Sequence, residues 1–162
     1  MLQEQILRNI SKNARMTTND LAAMLDSTPE EVDKTIREME KDGVICGYPA
    51  LINWEKTDNE VVTALIEVKV TPQRGRGFDK VAERIYQFDE VASVYLMSGG
   101  FDLTVMIEGK SMKEVARFVT TKLAPMESIM STATYFVLKK YKEHGLPLVK
   151  AANEDERMLI AP

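Results

Sequence analysis

Cysteine and histidine are scarce in this chain of 162 residues, and basic residues are outnumbered by acidic ones. Cys46 is its only cysteine, which excludes an intrachain disulfide and is typical of a reducing compartment. Because His144 is the only histidine, the sequence contains no cluster of metal ligands, and we expect neither a metal nor a cofactor. The formal net charge of -4 gives no general attraction to nucleic acid or to an anionic membrane. Any such attraction requires a local patch.

Long apolar runs are absent as well. No run approaches the roughly 20 apolar residues that cross a bilayer. Residues 1–15 mix charged and apolar side chains where a signal peptide would have an uninterrupted apolar core. The sequence therefore predicts a cytoplasmic protein that does not enter a membrane. An apolar share of 44% is ordinary for a globular protein, and the length allows one domain or two small ones.

Two short amphipathic helices are predicted before residue 27. The first has an apolar face formed by Ile6, Leu7 and Ile10 and ends near residues 11–13. A threonine of the pair Thr17-Thr18 can cap the second helix, with Asp20 near its positive end. We expect the buried side of this second helix to consist of Leu21, Met24 and Leu25.

The third helix has the clearest start signal. Thr28 is a good N-cap, Pro29 suits the first helical position, and Glu31 completes a T-x-x-E capping box. The apolar residues recur at i, i+4 and i+7 and predict a buried face of Val32, Ile36 and Met39. Gly43 is a natural stop.

Two short apolar runs follow, Val44–Cys46 and Pro49–Ile52, and Gly47-Tyr48 separates them. We expect them to pair as a compact ribbon, or wing. Helices followed by a wing are the layout of a winged helix-turn-helix, which points to DNA binding. We predict this domain over residues 1–53 and a polar linker over residues 54–59.

The third helix also supplies candidate DNA contacts. Arg37 is the expected base reader, while contacts with phosphates or the DNA backbone are predicted for Thr28, Lys34, Lys41, Lys12 and Arg15. Residues 1–53 nevertheless contain nine acidic and six basic side chains. Since phosphate neutralisation supplies most non-specific affinity, this charge opposes DNA binding. A ligand-binding or assembly module with a purely structural helix-turn-helix therefore stays open as the alternative.

The pattern changes from residue 60 onwards. Strands rich in β-branched residues alternate with helical patterns in the order β-α-β-β-α-β, the ferredoxin-like arrangement. In this α+β fold the predicted strands are Val61–Val70, Val91–Met97, Phe101–Ile107 and Ser128–Leu138. The two helices between them have apolar faces at Phe78, Val81, Ile85 and Phe88, and at Met112, Val115, Ala116 and Val119. We assign the domain to residues 60–140 and a tail to residues 141–162. Helices cover only one sheet face, so a second subunit is the simplest cover for the other.

Three motifs in register resemble the Lrp/AsnC family of regulators. Gly43–Asn53 is similar to the family's G-x-I-x-G-Y-x-A-x-[LI]-N, and Ser98–Asp102 is similar to its S-G-x-[FY]-D turn. Thr132 and Thr134 match a T-x-T that often opens the last strand. The resemblance implies an N-terminal domain that binds double-stranded DNA. It also implies a C-terminal domain that dimerises, often assembles to octamers, and binds a small effector, usually an amino acid, between subunits.

The resemblance places the effector against the turn at residues 98–102. Gly99 and Gly100 offer unshielded N–H groups to a carboxylate, and Asp102 can bind an ammonium group. The resemblance extends this set to Tyr95, Met97, Thr132 and Thr134. The alternative is an ordinary hairpin turn with glycines at positive φ and a solvated aspartate.

Two further features have plainer explanations. Residues 74–77 read Arg-Gly-Arg-Gly, either a basic anion site or, as we expect, a solvated loop. Some proteins that resemble this family are sirohaem decarboxylases, which need basic and histidine residues for the tetrapyrrole. The chain has one histidine and no nucleophile–base pair, P-loop or paired catalytic carboxylates, so we expect no enzyme.

Overall fold

The computed structural model describes residues 1–71 and 77–149. It divides the chain into two compact units, Met1–Ala50 and Leu51–Pro162, called here the N-terminal and C-terminal units. Each has its own apolar core. Residues 74–76 of the predicted loop and residues 150–162 of the predicted tail lie outside the described residues.

Three helices form the N-terminal unit: α1 (Leu2–Ile10), α2 (Thr18–Leu25) and α3 (Pro29–Lys41). Their apolar faces enclose a small core of Ile6, Leu21, Ala22, Val32, Met39 and Ile45. The predicted buried side of α2 is wrong at one position, because Met24 is exposed and Ala22 is buried instead. At this position α2 therefore contributes a smaller side chain to the core than the sequence pattern predicts.

Both threonine caps form as predicted, with one difference of detail. At α2 the hydroxyl of Thr17 accepts the N–H of Asp20, and the Asp20 carboxylate accepts the N–H of Thr17, which is a complete capping box. At α3 the hydroxyl of Thr28 accepts the N–H of Glu31 at 3.2 Å. The Glu31 carboxylate instead accepts the hydroxyl of Ser27, so the return half of the predicted box is absent there.

The predicted wing ribbon does not form. Residues 44–53, all of them described, contain no strand. Instead α3 ends in a Schellman motif: Gly43 has φ of +71°, its N–H bonds to the carbonyl of Glu40, and the N–H of Val44 bonds to that of Met39. Only Ile45 of this segment reaches the core. The backbone groups of the apolar runs are thus used to terminate the helix or left without a strand partner.

Four antiparallel strands form the sheet of the C-terminal unit: β1 (Val62–Val70), β2 (Val91–Leu96), β3 (Leu103–Gly109) and β4 (Ile129–Phe136). Their order in the sheet is β2-β3-β1-β4. Helix α4 (Gly77–Tyr86) joins β1 to β2, and α5 (Met112–Phe118) joins β3 to β4. The predicted α+β class and ferredoxin-like order are confirmed.

One sheet face packs against the helices and forms the larger core. The central strands contribute Ala64, Ile66, Val68, Leu103, Val105 and Ile107. The predicted face of α5 is wrong at two positions, since Met112 and Ala116 are exposed. A single π-helical turn, Val119–Leu123, follows α5, and Val115, Phe118, Val119 and Leu123 are the residues that it and α5 bury. Both exposed positions precede this turn, so it does not account for their exposure.

The other sheet face, called here the open face, has no helix on it among the described residues. By register it includes Leu65, Glu67, Thr104, Met106, Tyr95 and Tyr135. After β4 the chain forms a small hairpin, β5 (Lys142–Glu143) with β6 (Leu146–Pro147). Among the helices that the structure describes, none is long and apolar enough to cross a membrane.

Candidate DNA and effector sites

Helix α3 presents its predicted DNA-contacting side chains to solvent. Lys34, Arg37 and Lys41 are all exposed along it, and Thr28 is exposed at its N-cap. Lys12 and Arg15 are exposed in the turn between α1 and α2. The hydroxyl of Thr28 accepts one hydrogen bond in its capping role, which leaves its own proton to donate. The N-terminal unit thus carries all six predicted contacts on its surface.

Two of these bases are engaged by acids one helical turn away. The Nε of Arg37 lies 2.8 Å from an oxygen of Asp33, and the Nζ of Lys34 lies 3.9 Å from an oxygen of Glu38. Exposed i,i+4 pairs of this kind stabilise a helix by only about 0.3–0.5 kcal/mol. They are therefore easily rearranged when another charged group approaches.

Asp102 has a structural role in the turn at residues 98–102. Its Oδ2 accepts the N–H of Val70 at 2.7 Å, while its own N–H bonds to the carbonyl of Val68. Its carbonyl accepts the N–H of Met97. The first two bonds join the turn to the end of β1, and the third joins it to Met97, directly after β2. Since a carboxylate has about four acceptor positions, Asp102 can still accept further hydrogen bonds.

The two glycines of the turn differ. Gly99 has φ of +153°, a conformation that residues with a Cβ rarely adopt, so the backbone itself requires glycine there. Gly100 has no such φ, and a Cβ added to it would meet nothing within 4 Å. The local backbone therefore explains the first glycine and gives no packing reason for the second.

The remaining predicted effector residues do not come together within one chain. Tyr95 lies on edge strand β2 and, paired with Thr104, belongs to the open face. Thr132 and Thr134 lie on the other edge strand, paired with Val68 and Ile66 of the helix-covered face. Three strand spacings, about 14 Å, and the sheet itself separate the two groups. A site that used both would need more than one subunit.

Thr104 is a polar residue that the sequence did not single out. It is 5% exposed, and its hydroxyl has no hydrogen-bond partner among the described residues. Glu67 lies opposite it on β1 and Tyr95 opposite it on β2. A threonine inside a β-branched strand gives no signal of this kind in sequence, because it fits a strand for its shape alone.

A cavity of about 570 Å³ lies elsewhere in the C-terminal unit. It is bounded by residues before β1, including Asn53 and Trp54, and by residues after β4, including Val137 and Lys140. The side-chain amide of Asn53 donates to the carbonyl of Leu148 across it at 2.8 Å. It contains none of the predicted effector residues and lies a strand's length, about 25 Å, from Asp102. The described residues contain no group of three or more side chains suited to a metal ion.

Comparison with known proteins gives the family. Residues 2–45 match the family model for winged helix-turn-helix DNA-binding domains, and residues 63–147 match that for the Lrp/AsnC ligand binding domain. The HTH-type transcriptional regulator YugG of Bacillus subtilis is 48% identical over 99% of this chain and 96% of its own length. The leucine-responsive regulatory protein of Haemophilus influenzae is 28% identical over 90% of this chain and 87% of its own.

A solved structure supports the same fold. A transcriptional regulator of Neisseria meningitidis, determined as a complex with L-Met, has a TM-score of 0.70 to this chain at 23% identity. The match covers 91% of this chain and 95% of that protein. A domain that matches the winged helix-turn-helix model, although its residues 44–53 form no strand, precedes the Lrp/AsnC ligand binding domain. The chain therefore belongs to the Lrp/AsnC family of transcriptional regulators.

Proposed function

We propose that this regulator binds double-stranded DNA through its N-terminal unit and responds to a free amino acid bound between subunits of a homo-oligomer, a dimer or a larger assembly up to an octamer. The observation that carries the proposal is the presence of a helix-turn-helix and a Lrp/AsnC ligand-binding domain in one chain. In the domain assignment that we propose, residues 1–53 bind DNA, 54–59 are a linker, 60–140 dimerise and bind effector, and 141–162 form a tail.

The effector-binding part of this proposal rests on the turn at residues 98–102. Backbone N–H groups near Gly99 and Gly100 suit a carboxylate, and Asp102 suits an ammonium group, which together describe a free α-amino acid. Tyr95, Met97, Thr132 and Thr134 complete the proposed set and would have to come from more than one subunit. Two relatives support this chemistry by name, one leucine-responsive and one solved with L-Met.

A thermal-shift screen against the twenty amino acids tests effector binding, because a ligand that binds the folded state raises the melting temperature. The matched variants are Asp102→Asn and Asp102→Ala. Asparagine keeps an oxygen that can accept the N–H of Val70 but removes the charge, whereas alanine removes both. We expect a selective shift in the wild type that Asp102→Asn abolishes without lowering the melting temperature of the free protein. A full shift in Asp102→Asn would exclude the proposed ammonium contact.

The proposed DNA binding is tested by gel shift with the region upstream of the protein's own gene, with and without amino acids. We expect binding that Lys34→Ala together with Arg37→Ala abolishes. Unchanged binding in the double variant would exclude α3 as the interface. Absence of binding at every salt and effector concentration would favour the alternative, an assembly module, for which the excess of acids in residues 1–53 is the supporting observation.

We assign the protein no catalytic activity, since the family and the relatives are named as regulators. Incubation with sirohaem, followed by absorbance, tests the one enzyme class that shares this two-domain shape. An unchanged spectrum is the expected result, and loss of the sirohaem spectrum in the presence of protein would contradict the assignment.

A further inference from the structure

We propose that Asp33 is a positioning residue that holds Arg37 in the geometry needed to read a guanine in the major groove of DNA. This inference rests on the proposed DNA-binding function. It adds to that function the base that is read and the side chain that prepares the reader.

The atoms that form the ion pair carry the inference. The closest approach of Arg37 to Asp33 is made by its Nε, at 2.8 Å, and among the described residues the two terminal nitrogens of its guanidinium form no hydrogen bond. Those terminal nitrogens form the outer edge of the planar group, and each carries protons to donate. Guanine presents O6 and N7 on its major-groove edge, a pair of acceptors that matches two donors of one arginine. The contact with Asp33 thus leaves the guanine-binding edge of Arg37 free.

The placement of the pair is consistent with this role. Asp33 and Arg37 lie one turn apart on α3, and the Arg37 side chain is 75% exposed while that of Asp33 is 47% exposed. The carboxylate is thus the more sheltered partner, and the guanidinium is the part that an approaching ligand meets. Fixing two planar groups against each other also reduces the rotamer freedom that Arg37 loses when it binds a base.

Asp33 also acts against DNA binding. Its negative charge repels phosphates, so it lowers affinity for every DNA sequence. A residue that only weakened binding would act equally on all sequences, whereas a positioning residue acts on the preference for one base. The two effects therefore separate when affinity and base preference are measured together.

The second ion pair on α3 supplies a matched control. Lys34 and Glu38 have the same i,i+4 spacing, but their charged atoms are 3.9 Å apart and lysine has no planar group to orient. Glu38→Gln and Asp33→Asn each remove one negative charge from the same helix. They should raise non-specific affinity alike, and only Asp33→Asn should change base preference.

The experiment selects binding sites from a randomised duplex library with the full-length protein and compares the wild type with Asp33→Asn, Asp33→Glu, Glu38→Gln and Arg37→Ala. Arg37→Ala identifies the position that Arg37 reads, because preference is lost there. We expect guanine at that position in the wild type, with its preference reduced about two-fold in Asp33→Asn, the factor that an exposed i,i+4 ion pair is worth. Glu38→Gln should retain it, and Asp33→Glu, which can still reach Arg37, should retain most of it. Melting temperatures of all variants control for folding.

Two results overturn the proposal and differ in what else they exclude. If Asp33→Asn selects the same guanine as strongly as Glu38→Gln does, or if the Arg37 position prefers another base, Asp33 does not position a guanine reader, and the DNA-binding function stands. If the wild type selects no sequence and Arg37→Ala changes neither affinity nor salt dependence, the proposed function fails along with this inference.

Discussion

Thr28 shows how one side chain at the start of α3 stabilises the fold. Its hydroxyl oxygen accepts the N–H of Glu31, which satisfies a backbone group that a helix start leaves unpaired. We expect Thr28→Ala to lower the free energy of unfolding by about 1 kcal/mol, whereas Thr28→Ser keeps the hydroxyl and most of that stability. Urea denaturation of the three proteins measures this, and equal losses in both variants would show that the hydroxyl of Thr28 is not the source of the stability.

Asp20 gives the protein a predictable response to acid. The hydroxyl and the N–H of Thr17 both bond to its carboxylate and lower the pKa of Asp20 below the ordinary value of 3.8. A carboxyl group with a lowered folded-state pKa contributes stability that is present above its unfolded pKa and is lost as the pH falls through the folded one. We therefore expect stability to fall below about pH 4, and less steeply in Asp20→Asn.

Urea unfolding midpoints measured between pH 2.5 and pH 6 test this expectation. Asp26→Asn is the charge-matched control, at the other end of the same helix. Asp26 has a left-handed backbone, which asparagine also tolerates. Identical pH profiles for the wild type and Asp20→Asn would contradict a stabilising role for the capping carboxylate.

At the scale of whole elements, α5 and the π-helical turn that follows it bury Val115, Phe118, Val119 and Leu123. Regular spacing predicts that Met112 is buried, yet it is 52% exposed, while Leu123 at the end of the turn is fully buried. We expect Leu123→Ala to destabilise the protein by about 2–5 kcal/mol because it leaves a cavity. Met112→Ala should change stability by no more than about 0.5 kcal/mol. Comparable losses of stability in the two variants, measured by thermal unfolding, would show that Met112 is buried as the regular spacing predicts.

Local chemistry explains which elements could be predicted from sequence. A threonine followed three residues later by an acid predicts a helix start wherever it precedes an apolar pattern, and both Thr17 and Thr28 cap as expected. The strands were predictable because β-branched runs and turn residues are local signals. The order of the sheet follows from the alternation of those strands with two helices.

The errors arise where the end of a helix or the packing of other elements decides the outcome. Val44–Cys46 has the composition of a strand, but its backbone is used by the C-terminus of α3. Met112 fits the apolar spacing of α5 but is its first residue, and its side chain is exposed. Thr132 and Thr134 pair with the helix-covered side of β1 because of register, which one sequence does not reveal. The candidate effector residues could thus be named but not placed together.

For the whole molecule, charge limits how one copy can bind DNA. The net charge is -4, and residues 1–53 contain nine acids against six bases. A single weak DNA-binding unit gains affinity when a second one is joined to it, because the second contact becomes intramolecular. We therefore expect DNA affinity to depend on the assembly, and the salt dependence of binding measures how many copies engage.

Four basic residues, Lys12, Arg15, Lys34 and Lys41, are the proposed phosphate contacts of one protomer, with Arg37 reserved for a base. Each phosphate that is neutralised contributes about -0.9 to the slope of log K against log salt, so one protomer gives about -3.6 and two give about -7. Fluorescence anisotropy between 50 and 200 mM KCl measures this slope. Lys34→Ala should reduce its magnitude by about 0.9 for each engaged protomer. A slope near -7 that falls by about 1.8 in Lys34→Ala would establish two engaged copies, whereas a slope unaffected by Lys34→Ala would exclude this face of α3 from the interface.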